Sequence, residues 1–144
     1  MDKYRKTEVI RPRTILTASF VPTDPIFCLA YDNMTLLLDY TRGKAGGAVS
    51  WYIEYRTEDD GEWHRNTIYD AGVVAVNNDT ESSVQREQFE YGATSKDREQ
   101  IVFGPLSIVQ FAKHVRFAFA ETGESADPGT CRAQLVLTRN KQPM

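Results

Sequence analysis

The sequence predicts an all-β domain: an antiparallel β-sandwich, of jelly-roll or immunoglobulin-like topology, with a flexible and basic N-terminal arm. Three observations predict it. Apolar and polar residues alternate with a period of two in several segments, Gly, Pro and Asp-Gly turn formers separate those segments, and helical spacing is confined to residues 107–114.

The clearest segment is 50–57, where Trp51, Ile53 and Tyr55 alternate with Tyr52, Glu54 and Arg56, as a half-buried strand requires. Asp60-Gly61 follows, a pair suited to the positive backbone angle of a tight hairpin, and Trp63 opens the return strand, so 50–69 reads as a hairpin. In 35–41, Leu36, Leu38 and Tyr40 alternate with Leu37 and Asp39, before three glycines in 42–47 break the pattern. Val115, Phe117 and Phe119 form a third alternating set, and Ala133, Leu135 and Leu137 a fourth. Between these two, 121–130 reads as a polar loop. Shorter strands are expected at 15–21, 26–31, 73–76, 83–91 and 100–103, rich in β-branched or aromatic residues. The helical spacing of Ile108, Phe111, Ala112 and Val115 is too short for more than a connector.

At 144 residues, 41% hydrophobic and 26% charged, the chain suits one core without metal or disulfide staples. The expected organisation is an arm over 1–14, a sandwich over 15–140 and a tail over 141–144. With 17 basic and 20 acidic residues the formal charge is -3, which gives no global field for nucleic acid or an anionic membrane. The arm is the exception, since Lys3, Arg5, Lys6, Arg11 and Arg13 outnumber Asp2 and Glu8. Apolar and basic residues mix in Val9-Ile10-Arg11-Pro12-Arg13, an extended segment suited to lying along another subunit. No apolar run reaches the ~18–20 residues of a membrane span, and the start lacks a signal-peptide core, so folding in a cytoplasm is expected. In that setting Cys28 and Cys131 read as buried thiols, with a bridge open only if the first and last strands are neighbours.

The chemistry of a hydrolase would need a nucleophile, a base and an orienting group, yet His64 and His114 stand in no such motif. Two histidines and two distant cysteines give no zinc-ligand spacing, and the glycines near Gly43 lack the lysine-serine ending of a phosphate cradle. The acidic run Glu58, Asp59, Asp60 and Glu62 reads as a solvated hairpin tip rather than a calcium site, because turn chemistry already accounts for Asp60-Gly61. No catalytic, cofactor-binding or metal-binding residue is therefore expected. Tyr52, with Trp63 or Tyr69, is a candidate platform for stacking on sugar rings or a protein partner, weighed against burial in the core or an interface.

Three pieces of the chain resemble small β-sandwich virion proteins of tailed bacteriophages. They are Met34-Thr35-Leu36-Leu37-Leu38-Asp39-Tyr40-Thr41-Arg42-Gly43, then Trp51-Tyr52-Ile53-Glu54-Tyr55 with its Asp-Gly turn and Trp63, and His114-Val115-Arg116-Phe117-Ala118-Phe119 followed by 129–139. The likeness covers 34–139, and the polar section 77–96 departs from it. It implies a non-enzymatic capsid decoration or cement protein made in the host cytoplasm and found in the virion. The implied partners are the major capsid protein or other virion subunits, in a homo-oligomer that could be a trimer. The arm before Ile15 and the loops 42–49 and 121–130 would make the contacts, with no nucleic acid or membrane involved. The alternatives are a neck or tail structural protein, or a carbohydrate- or receptor-binding module using Tyr52 and Trp63.

Overall fold

In a computed structural model of the chain, residues 5–43, 47–66, 68–69, 85–86, 88–92, 98–106, 108–122 and 128–139 are described. The expected strand at 73–76 and tail at 141–144, with Lys3 and most of 77–96, lie outside them. The strands are β1 (Arg5–Ile15), β2 (Val21–Pro22), β3 (Ile26–Phe27), β4 (Asn33–Thr41), β5 (Ala48–Arg56) and β6 (His64–Arg65). They continue with β7 (Ile68–Tyr69), β8 (Gln85–Arg86), β9 (Phe89–Gly92), β10 (Arg98–Leu106), β11 (His114–Thr122) and β12 (Thr130–Thr138). The expected helical connector is one 3-10 turn, Ile108–Gln110.

One sheet has the order β1-β12-β4-β10 and the other β2-β11-β5-β6, with β3 on β11, β9 on β5, and β7 and β8 paired as a separate ribbon. Every strand pair is antiparallel. Numbering the jelly-roll strands B to I, these orders are B-I-D-G and C-H-E-F, with C divided between β2 and β3 and F between β6 and β9. The topology is therefore the jelly roll and not the immunoglobulin arrangement.

Alternation explains the core. β4 and β12 bury every second residue, so that Met34, Leu36, Leu38 and Tyr40 lie beside Cys131, Ala133, Leu135 and Leu137 on one inner face. From the other sheet come Val49, Trp51 and Ile53 of β5 with Val115, Phe117 and Phe119 of β11. Trp51 lies 5.3 Å from Phe103 and 6.1 Å from Phe89 between ring centroids. Each Val, Leu, Ile, Met or Phe side chain among them taken from water stabilises the fold by roughly 1.5–3 kcal/mol.

The segment 5–14, expected as an arm free of the sandwich, is instead an edge strand paired with β12 from Arg5↔Thr138 to Ile15↔Thr130. Its register breaks between Val9 and Arg11 and again between Arg11 and Thr14, where Pro12 has no N–H to offer. The hairpin of 50–69 is shorter than expected: β5 and β6 pair only at Glu54↔Arg65 and Tyr55↔His64. Gly61 takes no positive φ, since it is the last residue of a turn closed by its N–H on the Glu58 carbonyl, 3.2 Å away. β11 also runs further than expected, so Glu121 belongs to the strand and not to a loop. Cys28 and Cys131 are buried free thiols, although β1 and β12 are neighbours. Burial pushes their pKa values up to about 12 and about 11.

Candidate interaction surfaces

Among the described residues, three groupings of polar side chains bear on function. The first is inside the sandwich: Glu121, 3% exposed, points inward beside Val49. The Tyr40 hydroxyl donates to its Oε2 at 2.5 Å and the Gly129 N–H to its Oε1 at 2.7 Å. Burial and the neighbouring carboxyl group raise the Tyr40 pKa far above the phenol range, so the hydroxyl remains a donor. Both carboxyl oxygens have a donor from the chain itself, which makes the group a strut between sheets.

The second place is the outer face of the six-stranded sheet, which carries Tyr52 and Trp63, each packed against other residues of the chain. Tyr52 carries the Arg65 guanidinium 3.5 Å above its ring and packs 4.9 Å from the ring of Phe20. Trp63 lies against two guanidinium groups, Arg116 at 4.2 Å and Arg56 at 4.6 Å. Glu54 ties the set together, accepting from Arg116 Nε at 2.8 Å and lying 3.9 Å from Arg65 Nε. Both aromatic side chains are half-buried, and the chain's own cations already occupy them.

At the end of that face, His114 Nδ1 accepts from Arg56 Nε at 3.4 Å, and its ring meets Phe27 edge-on at 5.7 Å. Burial, Arg56 and Lys113 lower the His114 pKa against an opposing pull from Asp59. Asp59 in turn pairs with Lys113 at 2.9 Å, so one end of the acidic hairpin tip is pinned to the sheet. His64 sits on the opposite side of β5, with its ring 5.5 Å from that of Tyr55. Among the described residues, no three His, Cys, Asp or Glu side chains gather as a metal site.

The third place is the outer face of the four-stranded sheet. Asp39 bridges three strands, receiving Arg98 through bonds of 2.9 and 2.6 Å and Arg13 at 2.8 Å. These contacts, Arg98 first, hold its carboxyl below the usual range. Arg132 stands directly opposite Asp39 in the register, so Arg13, Arg98 and Arg132 outnumber one carboxylate there. The adjoining row, Val9, Gln134, Leu37 and Val102, carries no charge, and Val102 is 69% exposed.

The sequence-predicted contact residues therefore divide. Arg13 faces outward in the basic corner. Arg11 turns to the backbone, donating to the carbonyls of Cys131 (2.6 Å), Thr14 (3.1 Å) and Ile15 (3.1 Å), and so braces the irregular stretch of β1. Lys6 pairs with Glu8 at 3.3 Å, and Arg5 begins β1 opposite Thr138. Arg98, Arg132 and Asp39 were not singled out as one site, because only the strand register brings them together.

No family model matches the chain, and no curated protein sequence does. Among solved structures, the T13 particle of infectious bursal disease virus is similar with a TM-score of 0.57 at 12% identity, over 94% of this chain and 31% of that one. The likeness is one of fold. The VP2 subviral particle of the same virus gives 0.50 at 12% identity, over 94% of this chain and 33% of that one. YomS, a protein derived from the SPBc2 prophage, gives 0.49 at 8% identity over 93% of each chain. The chain spans about a third of the length of the viral chains it matches.

Proposed function

We propose that this protein is a virion structural protein, and more specifically a decoration or cement protein that seats on the major capsid protein of a phage head. The observation that carries the reading is the jelly-roll strand order, the fold it shares with the infectious bursal disease virus particle. The arrangement of polar groups supports a role without catalysis. Glu121, Glu54 and Asp39 each bind groups of the chain itself, so the polar clusters brace the sandwich. Repetition by symmetry would let a modest contact at each copy sum to a large stabilisation of the shell. The basic corner of Arg13, Arg98 and Arg132 beside an uncharged row suits an acidic protein surface.

The test is quantitative mass spectrometry of purified particles, with thermal rupture of particles lacking the gene. Many copies per virion and rupture at lower temperature are expected. Absence from virions sinks the proposal, and antibody labelling confined to the neck or tail replaces the head assignment with that alternative.

A further inference from the structure

We infer that β10 is the strand through which two copies of this chain pair, antiparallel about a two-fold axis, to join two four-stranded sheets into one of eight strands. The inference does not depend on the virion reading. It rests on how the sheet edges are finished. An edge strand offers a row of unpaired N–H and C=O groups, and folded proteins blunt such rows with bulges, proline, inward charges or very short strands.

Among the described residues, three of the four edges of the two larger sheets are blunted in those ways. β1 has two breaks in register and Pro12, and its Lys6 and Glu8 share the inner face with Leu137 and Leu135. The rims of the other sheet are fragments of two to four residues, β2 and β3 on one side and β6 and β9 on the other. β10 differs. From Arg98↔Thr41 to Phe103↔Leu36 its pairing with β4 is unbroken, and among the described residues no strand lies on its other edge. Its regularity ends only at Gly104, whose φ of 132° and approach to the Met34 carbonyl exclude a side chain. The centre, Gln100-Ile101-Val102-Phe103, is uncharged and rich in strand-forming residues.

A second copy is the occupant these features favour. Among the described residues, the long regular edge on such a copy is again β10, since β1 would bring its bulges and Pro12. Pairing β10 with itself is isologous and closes at two, whereas β10 against β1 would propagate as an open chain. Charge permits it. With the axis at Gln100, Arg98 faces the second Val102 and Glu99 the second Ile101. With the axis at Ile101, Gln100 faces Val102 and Glu99 faces Phe103. Neither register opposes like charges, and both cover part of Ile101, Val102 and Phe103.

The experiment is sedimentation equilibrium of the full chain, with residue-resolved amide exchange over 98–103. A dimer is expected in which consecutive amides are all protected, whereas a free edge would leave every second one exchanging freely. Gln100→Lys with Val102→Lys sets lysine against lysine in both registers on exposed positions, and should give a folded monomer by circular dichroism. The matching double glutamate variant should also be monomeric, and mixing the two should restore the dimer. Wild-type protein that stays monomeric, or a dimer or trimer that keeps the alternating exchange or survives the lysine substitutions, overturns the inference.

Discussion

The hydroxyl of Tyr40 on β4 reaches across the core to Oε2 of Glu121 on β11 at 2.5 Å, a polar contact that couples the two sheets. Removing one partner of a buried hydrogen bond leaves the other with its full desolvation cost, about 1–3 kcal/mol. Tyr40→Phe should therefore lower stability by about that amount, read as a shift in the urea midpoint with an unchanged slope. An unshifted midpoint would show that the strut contributes nothing.

Gly129 should tolerate no side chain. A Cβ there would stand 2.3 Å from the Thr41 carbonyl oxygen and 2.8 Å from the Gly43 nitrogen, both backbone atoms, and 2.7 Å from Glu121 Oε2. Gly129→Ala should destabilise by at least about 1–3 kcal/mol, the usual cost of overpacking. Gly92→Ala is the control, because nothing lies within 4 Å of its added carbon. Comparable thermal midpoints for the two variants would contradict the crowding at Gly129.

Stability should fall as the solution is acidified through the range where histidine titrates. The folded chain holds the His114 pKa below its ordinary 6.5, so the unfolded chain binds the proton more readily. The contribution is complete above about pH 6.5 and is lost as pH drops from there towards the folded value. The groups facing His114 are Arg56, Lys113 and Asp59. His114→Gln should flatten the difference in midpoint between about pH 7.5 and about pH 5.5. The idea fails if wild type and variant lose stability equally.

The two thiols should be inert in the folded protein. Both are buried with raised pKa values, and only the thiolate attacks a disulfide reagent. Labelling by an aromatic disulfide should rise with denaturant in step with unfolding. Labelling of native protein at the rate of a free thiol would refute this.

The strands most legible in the sequence are those in the middle of a sheet, although the shorter expectations at 26–31, 83–91 and 100–103 also overlap β3, β8 with β9, and β10, and Trp63 opens the return that holds β6. β4, β5, β11 and β12 each press one face into the core, which imposes the alternation that 35–41, 50–57 and the sets at Val115 and Ala133 display. β1 escaped notice because its inner positions hold Lys6 and Glu8, so its pairing leaves no apolar period. β2, β3 and β6, two residues each, are too short to show any period. That Tyr52 points to the outer face was foreseeable from the alternation of β5, whereas the place of Arg116 over Trp63 depends on β11 lying beside β5. Glu121 looked like the start of a loop because a buried carboxyl group breaks the pattern that marks a strand interior.

The pairing of β1 with β12 also orders events during synthesis. Arg11 grips the carbonyl of Cys131, 120 residues further along the chain. At ~5–20 residues added per second, the first strand waits on the order of ten seconds at the ribosome before its neighbour emerges. A strand kept waiting so long is a hazard if it is greasy and regular. Lys6, Glu8, Pro12 and Arg13 make β1 the reverse of that, a charged and irregular segment suited to waiting for β12.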